Sequence, residues 1–284
     1  MIVTLLLASL SVIGLGFLGV LLTQARRRGQ LRSSKEAIAL GAVTDFFDTL
    51  GIGSFAPTTA WLKLRAMVPD SFIPSTLNTG HALPTIAQAL IFIKLVQVDP
   101  VLLLACIGAA VLGAIVGAPW VERLSVRVVQ GIVGVALMIA ALLYALANLN
   151  LLPMGGQALA LSMPLLVVAA VVHFLLGALM TFGIGMYAPS LILLSLMGLN
   201  PTAAFPIMMG SCAFLMPVGG VRFAFSERID FRIVLGIALG GVPAVLLAAY
   251  VVKSLPLTAL RWGVVVVVIY AAALLLRSAL RKAD

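Results

Sequence analysis

Apolar residues form long runs along the chain, and polar residues cluster in the short stretches between them. After a first run near 2–23, hydropathy and breaking residues divide the chain into segments near 36–68, 74–96, 100–120, 126–149, 161–199, 201–221, 231–252 and 256–277. About twenty apolar residues are needed for a helix to cross roughly 30 Å of hydrocarbon. The runs at 101–116 and 263–276 are apolar on every side and too long for the alternating strands of an outer-membrane barrel. The pattern therefore predicts an all-α integral membrane protein.

Two of these segments are interrupted by glycine and proline in the same way. The first reads TLGIGSFAPT from Thr49 to Thr58, and the second reads TFGIGMYAPS from Thr181 to Ser190. At an offset of 132 residues the Thr, both Gly, the Ile, the Ala and the Pro are identical. We interpret this as an internal repeat with units at 36–149 and 164–277. A weaker match between the GxxxG pairs that begin at Gly113 and Gly236 indicates close helix packing through small residues.

The distribution of basic residues distinguishes two topologies. If both interrupted segments cross the membrane, there are nine spans, and 12 of the 18 Lys and Arg residues lie inside. If both are re-entrant, there are seven full spans and 15 lie inside, because residues 63, 65, 123 and 127 become cytoplasmic and residue 94 moves out. The second arrangement obeys the positive-inside tendency better and gives inverted repeats. It places the N-terminus outside and the C-terminus in the cytoplasm.

Composition excludes a soluble protein and leaves no separate aqueous domain. The 284 residues are 63% hydrophobic and 10% charged. We therefore expect one transmembrane domain over 1–284, with 1–35 forming an N-terminal helix and a basic loop. Arg26, Arg27 and Arg28 follow the first apolar run, which favours an uncleaved helix over a signal peptide. The net charge of +9 does not indicate nucleic-acid binding, because its basic residues lie in short loops and at the C-terminus.

The interrupted segments have the chemistry of an anion site. Glycines permit unwound backbone, and proline suits the first turn of a new helix, so half-helices should begin near Pro57 and Pro189. Their free N–H groups and positive dipole ends would lie within the bilayer and could converge on an oxyanion. The alternative is a pair of helix kinks that only aid packing. The predicted substrate-binding residues are Gly51, Gly53, Ser54, Pro57, Thr58, Thr59, Asn78, Thr79, Gly183, Gly185, Pro189, Ser190 and Ser211.

An acidic pair in the first half has no equivalent in the second. Asp45 and Asp48 lie one helical turn apart, where the repeat has Gly177 and Met180. Ionisable residues inside an apolar segment need a cavity, a shared proton or hydrogen-bonding partners. We predict a proton relay or gate formed by Asp45, Asp48 and His81. A structural role, in which the carboxylates cap backbone donors near the break, is equally open.

The run from Gly41 to Thr59, GAVTDFFDTLGIGSFAPTT, resembles the first-repeat signature of the sulfite exporter TauE/SafE family. The resemblance covers essentially the whole chain and rests most on Gly51, Gly53, Pro57 and Thr58, with weaker support at their second-half counterparts. It implies a multi-pass transporter in the bacterial inner membrane, commonly an exporter, of sulfite, thiosulfate, sulfoacetate or a related anion. It implies no organic cofactor, and a homodimer is one possible assembly.

Two functions of other classes compete with transport. An intramembrane enzyme could use Asp45 and Asp48 as catalytic carboxylates, but two acids on one helix lack the converging element of an aspartyl dyad, and no zinc motif is present. A non-transporting assembly subunit would need no cavity and no ligand. We therefore predict a protein that is not an enzyme and holds no metal.

Overall fold

The computed structural model describes residues 2–51, 53–117, 126–149, 151, 156–254 and 257–280. This part of the chain is helical, and its only strand-like pairing is an isolated bridge between Ala158 and Leu199. Four of its helices are long and apolar enough to cross a membrane, at Ile2–Arg27, Met163–Met180, Pro201–Ala224 and Phe231–Val251. The prediction of an all-α membrane protein is confirmed at this level.

The first half begins with a long helix and continues with shorter ones. Its helices are α1 (Ile2–Arg27), α2 (Lys35–Thr49), α3 (Phe55–Leu64), α4 (Ile73–Gly80), α5 (Ala82–Leu95), α6 (Pro100–Leu112) and α7 (Val126–Asn148). A 3₁₀ turn at Asp70–Phe72 precedes α4, and a π-helical turn at Gly113–Gly117 extends α6. The predicted end of the 100–120 segment, and Arg123 in the charge count, lie outside the described residues.

The second half has longer helices. They are α8 (Met163–Met180), α9 (Tyr187–Leu196), α10 (Pro201–Ala224), α11 (Phe231–Ser254) and α12 (Leu257–Leu280). The two interrupted segments are broken where predicted, between α2 and α3 and between α8 and α9. We call these connections the first break and the second break.

The sequence predicted one continuous segment at 74–96. This prediction is wrong in one respect, because the helix is interrupted at His81. His81 ends α4 and precedes α5. Pro84, three residues further on, has no N–H to donate to the carbonyl of Gly80, and proline commonly interrupts a helix in this way. The interruption places the His81 side chain beside the first break.

Each broken segment returns to the face of the molecule from which it starts. Glu36, in the first turn of α2, accepts hydrogen bonds from Trp61 and Arg65 at the end of α3. In the second half, the residues before α8 pair with those after α9, since Ala158 N donates to Gly198 O and Asn200 N donates to Ala158 O. Both segments are therefore hairpins of helices.

The helix that begins each repeat, α2 or α8, packs against a helix of the other repeat, α11 or α6 respectively. On α2 and α11, a Cβ atom added at Gly41 or Gly240 would collide with the backbone of Ile237 or Ile38 respectively. On α6 and α8, a Cβ atom at Gly177 would collide with the carbonyl of Ala110. A Cβ atom at Gly113 would likewise collide with the carbonyl of Phe174, and one at Gly236 with the Cβ of Ala37, which confirms the predicted close packing at these two positions.

Helix directions follow from two successive contacts along each pair. Phe92 stacks on Phe205, whereas Asn78 lies near Gly220, so the α4–α5 segment and α10 run antiparallel. Near their ends, α7 and α12 are also antiparallel, since Gly134 contacts Leu276 and Gly131 contacts Ala279. Each antiparallel pair therefore joins a helix of the first half to the helix at the equivalent position of the second half.

Candidate functional site

Both breaks contain left-handed backbone that glycine supplies. Gly51 and Gly53 have φ of 93° and 84° in the first break, and Gly183 has φ of 85° in the second. The half-helices begin two residues earlier than predicted, at Phe55 and Tyr187 rather than at the prolines. The first helical hydrogen bonds are Thr58 N to Ser54 O and Ser190 N to Met186 O. Each proline thus occupies the third helical position, where its missing N–H still has no intrahelical partner.

The two breaks face each other across a small cavity. A Cβ atom at Gly53 would lie 3.9 Å from the Tyr187 Cβ, and one at Gly185 would lie 3.5 Å from the Phe55 Cβ. The space between them has a volume of about 10 Å³, which suffices for at most one water molecule. It is lined by Asp48, Gly53, Ser54, Phe55, Thr85, Met180, Gly185, Met186, Tyr187 and Met216.

Asp48 joins the first break to the second through hydrogen bonds. Its Oδ1 accepts from the backbone N–H of Ser54 at 2.5 Å, and its Oδ2 accepts from Gln88 Nε2 at 2.9 Å. The other end of the Gln88 amide, Oε1, accepts from the hydroxyl of Tyr187 at 2.5 Å. Both carboxylate oxygens act as acceptors, as an ionised Asp requires. The chain of bonds thus runs from the start of α3 to the start of α9.

Asp45 belongs to a second chain of buried polar groups. Its Oδ1 lies 2.8 Å from His81 Nδ1, and His81 Nε2 lies 3.0 Å from Thr58 Oγ1. Because a carboxylate only accepts, Nδ1 carries the proton, and in a neutral imidazole Nε2 accepts from the Thr58 hydroxyl. Asp45 Oδ2 is buried, has no hydrogen-bond partner among the described residues and faces Gly241 of α11. This chain does not line the cavity.

In the second half, the half-helix α9 is held by a histidine that is not equivalent to His81. His173 Nδ1 donates to the carbonyl of Ala169, so Nε2 accepts from the hydroxyl of Ser190 at 2.9 Å. Thr58 and Ser190 are equivalent in the repeat, and each hydroxyl meets an imidazole, but His81 and His173 are not equivalent. Met180, the counterpart of Asp48, also lines the cavity and contacts the Cys212 thiol at 3.5 Å.

The remaining predicted residues lie around the cavity rather than in it. Asn78 Nδ2 donates to the carbonyl of Met180 at 3.2 Å and so satisfies the end of α8. Thr79 and Ser211 are fully buried, and their hydroxyls have no partner among the described residues. The predicted site residues that line the cavity are Gly53, Ser54, Gly185 and Asp48. The others are Gly51, Pro57, Thr58, Thr59, Asn78, Thr79, Gly183, Pro189, Ser190, Ser211, Asp45 and His81.

Sequence reasoning missed Gln88, Thr85 and the three methionines of the cavity. Gln88 is a fully buried amide in an otherwise apolar stretch of α5, and that isolation is a signal that could have identified it. Tyr187 was not predicted as a site residue, although the aromatic residue Phe55 occupies the equivalent position of the first half. The methionines carried no signal, since a thioether in an apolar helix is ordinary packing. Among the described residues, no group of three His, Cys, Asp or Glu side chains could hold a metal ion.

No protein-family model matches the chain, and neither a curated protein nor a solved structure matches it. The fold and the site together define the class as a polytopic helical membrane protein with paired broken helices around a small cavity.

Proposed function

We propose that the protein transports a small sulfur-containing anion across the bacterial inner membrane. The observation that carries the proposal is the cavity between the two breaks, which lies at the N-termini of α3 and α9. Such termini present unpaired N–H groups and positive dipole ends, and irregular backbone at membrane depth is tolerated where it lines a cavity. Paired broken helices in matched repeats are the arrangement in which secondary transporters bind their substrates.

The volume of the cavity supports an occluded resting state. At about 10 Å³ it is too small for sulfite, which has four non-hydrogen atoms, so substrate entry requires the two halves to separate. The hairpins are joined across the cavity by the Asp48, Gln88 and Tyr187 hydrogen bonds. Movement of one half against the other would break these few bonds and expose the site to one side at a time.

We further propose seven full crossings, two re-entrant hairpins and inverted repeats, with the N-terminus outside and the C-terminus in the cytoplasm. Three observations support this arrangement. Glu36 is bonded to Arg65 across the mouth of the first hairpin. The α4–α5 segment is antiparallel to α10, and α7 is antiparallel to α12, whereas nine crossings would make both pairs parallel.

Export of an anion down the membrane potential needs no coupling, since about 2.3 kcal/mol per charge is available at 100 mV.

A hydrolase is the alternative with a specific observation in its favour, because Thr58, His81 and Asp45 are ordered like the hydroxyl, imidazole and carboxylate of a catalytic triad. All three side chains are fully buried and none lines the cavity. A substrate carbonyl could not reach the Thr58 oxygen. We assign this chain to holding α3 in place.

Anion flux into proteoliposomes tests the proposal. We expect at least one of sulfite, thiosulfate, sulfoacetate, sulfate and chloride to enter faster than into protein-free vesicles. Gly185→Leu should abolish this flux, because its side chain would fill the cavity beside Phe55. Gly108→Leu is the matched control, since a Cβ atom there meets nothing within 4 Å. Flux for no anion, or equal flux in Gly185→Leu and the wild type, would contradict transport through this cavity.

A further inference from the structure

Asp48 presents an obstacle to anion binding in the cavity that is proposed to bind one. Its carboxylate lines the cavity and accepts the Ser54 N–H that an anion at the start of α3 would need. Once the two halves separate enough to admit an anion, a site lined by Asp48 would still hold it close to the carboxylate. Two negative charges at contact distance in a buried site repel strongly. The anion and the ionised Asp48 therefore compete for the same position.

We propose that the site takes up its anion together with one proton, which binds to the Asp48 carboxylate, so that each cycle moves an anion and a proton in the same direction. This inference rests on the proposed transport function and deepens it. Protonation of Oδ2 removes the negative charge from the cavity wall and leaves Oδ1 a neutral, weaker acceptor. An anion can then replace Oδ1 as the acceptor of the Ser54 N–H. The proton stays on the carboxyl oxygen while the anion is bound, and it leaves on the side where the anion leaves.

The neighbouring amide can accommodate both protonation states. With Asp48 ionised, Gln88 Nε2 donates to Asp48 and Gln88 Oε1 accepts from Tyr187. With Asp48 protonated, a 180° rotation of the amide lets Oε1 accept from the Asp48 O–H and lets Nε2 donate to the Tyr187 oxygen. The Tyr187 hydroxyl hydrogen is then free to turn to an anion in the cavity, which Tyr187 lines. Proton uptake at one break thereby prepares a donor at the other.

The surrounding groups favour Asp48 over its neighbours as the proton carrier. The titratable groups that face it are Asp45 from α2, His81 from the α4–α5 junction, Tyr187 from α9 and Cys212 from α10. The described cavity residues of α3 and α8, Phe55 and Met180, are uncharged. Asp45 lies outside the cavity and is paired with His81. In the second half the equivalent position is Met180, so one proton is expected in each cycle.

Proton movement with thiosulfate is the decisive measurement, because thiosulfate itself carries no proton between pH 6 and pH 8. Wild-type proteoliposomes contain a pH indicator and valinomycin, with equal potassium concentrations inside and outside, so that potassium entry compensates the net negative charge of each cycle. We expect one proton to enter with each thiosulfate ion. Influx should rise by up to tenfold for each unit by which the external pH is lowered.

Asp48→Asn should move thiosulfate without protons and at a rate independent of pH, because the Asn amide keeps the bond to Gln88 and cannot titrate. Asp45→Asn is the comparison, and it should keep one proton per thiosulfate even if its rate falls. Wild-type flux without proton entry would overturn the coupling and leave transport standing. Proton entry that persists in Asp48→Asn, or that is lost only in Asp45→Asn, would overturn the assignment to Asp48. Absence of any wild-type flux would overturn transport and coupling together.

Discussion

The two Gly-x-Gly elements have the same sequence pattern, yet their glycines differ in backbone conformation. Gly51, Gly53 and Gly183 have positive φ, whereas Gly185 does not. A left-handed conformation costs other residues about 1–2 kcal/mol, so alanine would be strained at three of these positions. At Gly185, alanine would meet only the limited space beside Phe55. Identical local sequence therefore does not determine identical local structure.

The sequence predicted the breaks because glycine and proline act locally, but it could not predict the partners of the polar residues. Of the two roles weighed for Asp48, the capping of a backbone donor is seen in its bond to the Ser54 N–H, whereas the proton-dependent function stays a prediction. Its bond to Gln88 joins positions 40 residues apart, and the bond from Gln88 to Tyr187 joins positions 99 apart. Such pairs depend on how helices pack together, which no local pattern records.

The hydroxyl of Ser190 should contribute more to stability than that of Ser195, which lies further along the same helix. Ser190→Ala leaves the buried Nε2 of His173 without a donor, and we expect the free energy of unfolding to fall by about 1–2 kcal/mol. Ser195→Ala is the control, because the buried Ser195 hydroxyl has no hydrogen-bond partner in the part of the chain that the structure describes, and it should change little. Thermal unfolding in detergent would measure both. Equal melting temperatures for the two variants would show that the bond to His173 contributes nothing.

At the scale of helices, the segment limits were predicted to within a few residues for most elements, since they follow directly from hydropathy. The interruption at His81 was not predicted, although Pro84 was visible in the sequence. A proline three residues inside a new helix is hard to distinguish from one within a continuous kinked span. Its consequence is structural, because the break at His81 brings the imidazole within reach of Asp45 and Thr58.

The contact between α2 and α11 leaves no room for a methyl group at Gly240. Gly240→Ala would place its Cβ against the carbonyl of Ile38, and we expect the two helices to separate. Overpacking of this kind typically costs about 1–3 kcal/mol. Gly16→Ala is the matched control, because a Cβ atom there meets nothing within 4 Å. Both variants share the gain in helix propensity, so a lower melting temperature for Gly240→Ala alone is expected, and equal values would contradict the close contact.

At the scale of the whole molecule, the two halves are interlaced rather than side by side. The α2 helix packs on α11 and α8 packs on α6, so the helix that begins each repeat depends on the other half for its packing. The charge distribution along the chain indicated re-entrant segments, but it gave no information on which helices would pair. The pairing of helices between the halves depends on small residues at the contacts, such as Gly41 and Gly177. Their partners can be identified only from the folded structure.

The membrane topology can be tested with three exposed positions that the two arrangements distribute differently. Asp70→Cys, Gln97→Cys and Arg228→Cys would be made in a background without Cys106 and Cys212, and labelled with a membrane-impermeant maleimide. With re-entrant hairpins, residues 70 and 228 lie on the cytoplasmic side and residue 97 lies outside. The structure holds Ser75 against the carbonyl of Arg228, which keeps the chain near residue 70 on the same face as residue 228. With nine crossings, residue 97 would lie with residue 228 and residue 70 would lie opposite. Labelling of residue 97 alone in intact cells is expected, and labelling of residue 70 alone would reject inverted repeats.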